Sequence, residues 1–255
     1  MEKLINITKQ TASNADIVHV HVIGGITGRA FMPHALLGSD TFKETMRALF
    51  ESVETVSDAV GKKMETMNLV GMRQEISSVI KSTVAKTFQA TAKAGTARMN
   101  ELENRRIEWL NMKAVSEEKQ VEIRQVLRSM AGSPQSSAAL VLSSQEASTA
   151  ALKNWELTGL PKTLRESVEN TLIIKNLAER FSSQVRIEPN AVDPLANGFD
   201  QGAAQDKANQ AVANYEAGKD EVDTVRTVLI SVINFIAAIT NLDTKATYEL
   251  LTGKA

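Results

Sequence analysis

The chain contains no cysteine among its 255 residues, and only 4% of its residues are aromatic. The lack of cysteine excludes a disulfide framework, a thiolate metal site and a cysteine nucleophile, and it fits a reducing compartment. A β-sandwich or barrel would need many aromatic and β-branched strands, which this composition does not supply. Its 43% apolar content includes many alanines and nine methionines, which suits helices packed on helices.

Long apolar runs and an excess of charge are also absent. The most apolar stretch, Val228 to Ile239, is 12 residues long, whereas a membrane-spanning helix needs about 20. The first ten residues lack the apolar core of a secretion signal. We therefore expect no membrane partner and a cytoplasmic location, in the host if a phage encodes the protein. Because the formal net charge is −1, any nucleic-acid site has to be local.

One short region has the pattern of β-structure. Val18, Val20 and Val22 alternate with His19 and His21, which is the period-2 pattern of a half-buried strand. The glycine pair at 24–25 can form a tight turn, and residues 26–32 can return as a second strand that ends at Pro33. The sequence therefore predicts a small β-hairpin at the N-terminus.

Helical periodicity begins at about residue 41. Thr41 and Glu44 match a capping box, in which the two side chains satisfy backbone N–H groups at the start of a helix. Eight apolar residues between Phe42 and Met67 then recur at intervals of three or four. This spacing is nearly a heptad seam, so we expect the helix to pack lengthwise against another helix.

The rest of the chain is predicted to be helical, with breaks at 131–137 and 189–202. Gly95 is predicted to end or kink a helix, and Gly218 and Gly253 are predicted to be C-terminal helix caps. Predicted helices therefore include 73–93, 96–130, 203–217, 219–240 and 243–251. We predict a mainly α protein with a multi-helix, bundle-like body. Residues 1–130 would hold the hairpin, the long helices and the basic region, and residues 131–255 would form a helical C-terminal part of the same or a second domain.

All three histidines lie near the N-terminus, and they are the only candidates for a metal site. On a strand, His19 and His21 would share one face, about 7 Å apart, and His34 and Asp16 could join them. Imidazole groups of this kind bind zinc. The alternative is that the two strand histidines only form the solvent face of the hairpin. Since no second shell is evident, we expect no metal and no cofactor.

A charge asymmetry is the strongest functional signal. Residues 76–99 contain four cations and no acid, and a basic run with a tryptophan follows. Lysine and arginine can follow a phosphate backbone, and an aromatic ring can stack on unpaired bases for about 1–3 kcal/mol each. The alternative is an ordinary solvated helix face. The candidate nucleic-acid-binding residues are Lys81, Lys86, Lys93, Arg98, Arg105, Arg106, Trp109 and, on the hairpin, Arg29.

No pair of carboxylates suggests acid–base catalysis, and no standard nucleic-acid-binding signature is present. In general character the chain resembles single-stranded-DNA-binding transcription cofactors of lytic phages, although no residue motif carries the resemblance and it assigns no site. It implies a non-enzymatic, homo-oligomeric binder of single-stranded nucleic acid. Such a protein would be an accessory factor in phage transcription or replication, with RNA polymerase as a further partner. The alternative is a helical virion or scaffold protein, with the seam and the 225–240 helix as contacts.

Overall fold

A computed structural model of the chain describes residues 5–22, 24, 26–111, 115–130, 132–189, 191–193 and 195–254. The protein is 70% helical, with a small antiparallel sheet at the N-terminus, which confirms the predicted fold class. The chain folds into two compact units. Unit 1 comprises Met1–Glu101 and Gly218–Ala255, and unit 2 comprises Leu102–Ala217. The predicted break at 131–137 overlaps the first turn of a helix that begins at Pro134 within unit 2, and the predicted division after residue 130 falls inside that unit.

The elements follow one another in the order strands, then helices. The strands are β1 (Ile5–Thr11), β2 (Ala15–Val22) and β3 (Ile26–Pro33). The helices are α1 (His34–Leu37), α2 (Lys43–Lys63), α3 (Leu69–Ser82), α4 (Val84–Trp109), α5 (Glu117–Ser129), α6 (Pro134–Ser143), α7 (Gln145–Lys153), α8 (Arg165–Ser182), α9 (Gln201–Thr240) and α10 (Thr244–Thr252). Short 3-10 turns occupy Trp155–Leu157 and Lys162–Leu164. The boundary between the units falls within α4 and within α9.

The sheet contains the predicted hairpin and one strand more. Strands β2 and β3 pair antiparallel, and Gly24 between them has a φ of +108°, which glycine adopts without strain. Strand β3 ends at Pro33, as predicted. Strand β1 was not predicted; it pairs antiparallel with β2, with Ile7 opposite Val20. The alternation of β2 buries its valines and leaves its histidines on the other face of the sheet.

The seam of α2 forms part of the core of unit 1. Its first six members, from Phe42 to Val60, are at most 1% exposed, which confirms the predicted packing face. Helix α2 ends at Lys63, so the last two methionines of the pattern lie beyond it, and Met67 is 38% exposed. Because the seam is buried within a single chain, it does not form a contact surface for a second copy.

The predicted capping box at the start of α2 is wrong. Phe42 occupies the N-cap position, and no side chain there accepts a backbone hydrogen bond. Instead, the backbone N–H of Phe42 donates to Ser39 Oγ at 3.3 Å, and Lys43 N–H donates to the Ser39 carbonyl oxygen. A serine three residues upstream of the N-cap thus organises the turn that leads into the helix.

The predicted helix boundary at Gly95 is also wrong. The break lies at Thr83, which separates α3 from α4; its backbone N–H donates to the Val79 carbonyl oxygen at 3.0 Å, and its Oγ1 donates to the same oxygen at 2.7 Å. Gly95 is buried inside α4, where an added Cβ would lie 3.7 Å from Val225 Cγ1 of α9. This distance is an ordinary van der Waals contact, so alanine would also fit there. Glycine is tolerated inside the helix at a cost of about 1 kcal/mol relative to alanine.

Two further glycines were predicted as helix caps, with different outcomes. Gly253 has a φ of +70° and follows α10 as a left-handed cap, as predicted. Gly218, in contrast, is buried within α9, which continues as one 40-residue helix. The two helices predicted over 203–217 and 219–240 are therefore a single element.

The apolar half of α9 is a core element of unit 1. Residues such as Val232, Phe235 and Ile236 are at most 1% exposed, so the predicted contact surface at 225–240 is largely internal. Helix α9 is long and apolar enough to span a membrane by length and composition alone. However, 56% of its most apolar window is buried inside the protein, and core helices of this kind pass the same test.

Strand β3 packs directly against this half of α9 through Gly28. A Cβ at Gly28 would lie 2.8 Å from the Asn234 carbonyl oxygen and 2.9 Å from the α-carbon of Phe235. These distances are shorter than ordinary van der Waals contacts, so only glycine permits this approach. The neighbouring residue, Arg29, projects from the other face of β3, because adjacent residues of a strand alternate.

Unit 2 has an apolar core of its own. Trp155 and Leu172 belong to a cluster of buried side chains contributed by α5 to α8 and the adjoining 3-10 turn. A second cluster joins α8 to α9 around Leu177 and Ala208, with Trp109 packed against it.

Candidate nucleic-acid interface

Two of the predicted cations lie on one exposed face of α4. Lys86 and Lys93 are both exposed and seven residues apart, so their positions are separated by about 10 Å along the helix. Within the described part of the chain, no carboxylate lies close enough to either lysine to form an ion pair. Gln89 lies between them, and its Nε2 donates to the Leu251 carbonyl oxygen at 2.8 Å. This bond joins α10 to the basic face of α4.

The other two cations of the acid-free segment differ in their availability. Lys81 is exposed in the last turn of α3, across the break at Thr83. The side chain of Arg98 is only 19% exposed, and its Nη1 donates to Glu101 Oε2 at 2.8 Å. Lys81 can therefore extend the basic face, whereas Arg98 is largely committed to its neighbour on the same helix.

The three predicted residues at the end of α4 belong to unit 2. Arg105 is exposed. Arg106 forms an ion pair with Glu169, whose side chain is 14% exposed and which also pairs with Arg165 at 3.1 Å. Trp109 is half-buried and meets Tyr215 edge to face, with ring centroids 5.9 Å apart. Arg106 and Trp109 thus have structural partners within unit 2.

A groove borders the basic face of α4 within unit 1. It is formed with α9 and α10 and has a volume of about 570 Å³. Apolar residues from α4 and α9 line much of it: Phe88, Ala92, Met99, Val225 and Leu229. Its polar lining residues include Gln89, Thr96, Asn100, Arg226 and Lys254. Tyr248 of α10 also lines the groove and is 43% exposed.

Tyr248 and Lys254 were not predicted as site residues. Both are far from α4 in the sequence, and they reach it only because α10 folds back against the helix. No local pattern in 244–254 distinguishes them from ordinary surface residues. The structure thus provides an exposed aromatic ring in the groove that Gln89 of α4 also lines, a role that the sequence assigned to Trp109.

Arg29 lies on the outer face of the sheet. It is exposed on β3, and its partner across the strands is His19 of β2. By alternation, this face is formed by Asn6, Thr8, Gln10, Ile17, His19, His21, Thr27, Arg29 and Phe31. Among these nine described residues none is acidic, so the face is polar with a cationic centre.

The structure does not bring the three histidines together as a metal site. His19 and His21 share the outer sheet face, as predicted, but His34 Nε2 lies 3.4 Å from Asp16 Oδ2. Asp16 falls on the opposite face of β2, because adjacent residues of a strand alternate. In the described ranges, no three histidine, aspartate or glutamate side chains are placed to hold a metal ion.

No family model matches the chain, and neither the curated proteins nor the solved structures that were compared with it provide a match.

Proposed function

We propose that the protein is a non-enzymatic binder of single-stranded nucleic acid and that α4 carries the interface. Lys86 and Lys93 contact the phosphates, with Lys81 extending the track. The adjoining groove receives unpaired bases, and Tyr248 stacks on one of them. Two observations support this proposal: the exposed lysines in the acid-free part of α4, residues 84–99, and the exposed aromatic ring in the groove that shares Gln89 with this part of the helix.

The groove favours single strands over duplex as the ligand. Aromatic and apolar surfaces bind the faces of unpaired bases, which a duplex hides in its stack. A duplex binder that relies on phosphates alone would need a broad basic surface, whereas this chain has a formal net charge of −1. Few cations per chain also favour a homo-oligomer, since repeated patches on one strand bind far more tightly than a single patch.

The proposed biological setting follows from the general resemblance of the chain to single-stranded-DNA-binding transcription cofactors of lytic phages. We place the protein in the cytoplasm, in the host if it is phage-encoded, as an accessory factor in transcription or replication. RNA polymerase is the protein partner to test first in that setting.

Reversal of two charges on α4 tests the interface. We expect the variant Lys86→Glu with Lys93→Glu to lose binding to a labelled single-stranded DNA oligomer in fluorescence anisotropy, with unchanged helicity by circular dichroism. The matched control is Lys153→Glu with Lys207→Glu, which changes the net charge equally at two exposed lysines outside α4. Equal affinities of both variants and the wild type would refute the assignment of this face.

A second candidate function, that of an interaction protein, is supported by the loop between α8 and α9. Val192 is 95% exposed and Leu195 is 89% exposed. The loop has a defined base, where Ile187 N–H donates to the Gly198 carbonyl oxygen at 3.1 Å. Large exposed apolar side chains on a loop with such a base are typical of a surface that another protein covers.

The mass of the protein in solution tests this second candidate. If the loop joins copies of the chain, light scattering should give a mass well above 27.7 kDa, and Val192→Ser with Leu195→Ser should return it to the monomer mass. A monomeric wild type would exclude self-association through this loop, and an oligomer unaffected by the substitutions would place its contact elsewhere.

A further inference from the structure

A second groove in unit 1 lies between β3 and the C-terminal half of α9. Its volume is about 790 Å³, within the range of roughly 300–1,000 Å³ that is typical of small-molecule sites. Gly28 forms part of its wall, and the close contact of this residue with α9 fixes the strand and the helix at one separation. The groove is therefore built by rigid elements rather than by loops alone.

One wall of this groove is cationic. Arg29 and His19 are cross-strand neighbours, and both line the groove. No ion pair within the described residues neutralises Arg29. A guanidinium group beside an imidazole provides several N–H donors at one point, which suits the oxygens of a phosphate group.

The remaining lining suits a base and a sugar. Phe31 provides an aromatic ring next to Arg29, and Asn234 and Asn241 provide amide groups that can both donate and accept hydrogen bonds. Asp243 is the acidic residue of the lining, and its Oδ1 already accepts the backbone N–H of Ala246 at 2.7 Å. Its second oxygen can accept a hydrogen bond from a sugar hydroxyl.

We infer that this groove binds one nucleotide. The phosphate lies on Arg29 and His19, the base lies against Phe31, and the two asparagines contact the base edge. The inference goes beyond the α4 interface and does not depend on it, because the two sites share no residue needed for phosphate binding. The same chemistry accommodates a free nucleoside monophosphate or one nucleotide of a bound strand.

Titration of the ¹⁵N-labelled full chain with AMP, dTMP and inorganic phosphate, followed by NMR, tests the inference. The two nucleotides should shift the amide signals of residues 27–31 and 234–243 at lower concentrations than inorganic phosphate does. We expect Arg29→Gln to weaken nucleotide binding by about tenfold, because a charge-assisted contact is lost. The control is Arg47→Gln, which removes the same charge from an exposed position on α2.

Three results would overturn the inference: no shifts at millimolar nucleotide, shifts that Arg29→Gln leaves unchanged, or equal affinity for nucleotide and inorganic phosphate. Phe31→Leu provides a second test, since it keeps the phosphate site but removes the aromatic ring. This variant should weaken the binding of the two nucleotides more than the binding of inorganic phosphate. The α4 variant Lys86→Glu with Lys93→Glu should still bind nucleotide. A result that overturns nucleotide binding in this groove can therefore be distinguished from one that overturns the α4 interface.

Discussion

The contact between Gly28 and α9 makes a quantitative prediction about stability. In Gly28→Ala, the new methyl carbon would lie 2.8–2.9 Å from the Asn234 carbonyl oxygen, the α-carbon of Phe235 and the β-carbon of Ala238. Ordinary carbon contacts are about 3.5–4.0 Å, so β3 and α9 must separate by about 1 Å. Two of the three contacted atoms belong to backbone, so a change of rotamer cannot relieve the clash.

Overpacking of this kind costs about 1–3 kcal/mol, out of a total stability of about 5–15 kcal/mol for a typical domain. With a urea slope of about 2 kcal/mol/M, the unfolding midpoint should fall by about 1 M. Far-UV circular dichroism is the appropriate probe, because Trp109 and Trp155 both lie in unit 2 and their fluorescence would report on that unit.

Gly61→Ala is the matched control. Gly61 is exposed in α2, and a Cβ there would meet nothing within 4 Å. The higher helix propensity of alanine should stabilise this variant by up to about 1 kcal/mol. The two substitutions therefore have opposite expected signs. A Gly28→Ala protein as stable as the wild type would refute the packing of β3 against α9, and with it the geometry of the nucleotide groove.

Three further predictions concern single side chains. Tyr248→Leu should weaken single-strand binding by about 1–3 kcal/mol, the value of one stacked base, whereas Tyr248→Phe should retain the affinity; equal losses in both would argue against stacking. Glu169→Gln should lower the free energy of unfolding by about 1–3 kcal/mol, because two arginines share this partly buried carboxylate. Urea unfolding followed by tryptophan fluorescence measures this change, and an unchanged unfolding midpoint would contradict the role of Glu169. A hydrogen bond to Asp58, assisted by Glu54, raises the pKa of Lys9. Since this ion pair is partly exposed, Lys9→Met should cost less than about 1 kcal/mol at pH 7 in urea unfolding. Because the pKa is raised, Lys9 stabilises the fold fully at pH values below its ordinary pKa of 10.5. The difference in stability between wild type and Lys9→Met should disappear as the pH rises through the raised pKa. A difference that persists above it would have another origin.

Packing faces were the most predictable part of the fold. The seam from Phe42 to Val60 and the alternating valines of β2 follow periods set by the backbone, and both are buried as expected. Helix boundaries were less predictable, because they depend on contacts that are distant in sequence. Gly95 lies buried inside a helix, whereas the break falls at Thr83 instead. Strand β1 alternates apolar and polar residues only from Ile5 to Thr8, which is too short to predict a strand alone, and its pairing with β2 defines it.

The candidate site was predictable only in its local part. The acid-free segment identified Lys86 and Lys93 directly, and the structure places both on one exposed face. The sequence could not reveal that Arg106 pairs with Glu169, or that Tyr248 lines the groove beside α4. These relationships arise from tertiary packing, which periodicity along a single helix does not encode.

The salt dependence of binding tests the central claim most directly. Affinity for a labelled single-stranded DNA oligomer should be measured by anisotropy over a range of salt concentrations, with duplex DNA and RNA of the same sequence for comparison. We predict that the logarithm of the affinity falls linearly with the logarithm of salt concentration, and that Lys86→Gln with Lys93→Gln reduces this slope by about 1.4, or about 0.7 for each lost phosphate contact. Absence of binding to the single strand, or a slope that the two substitutions leave unchanged, would contradict the assignment of α4 as the nucleic-acid interface.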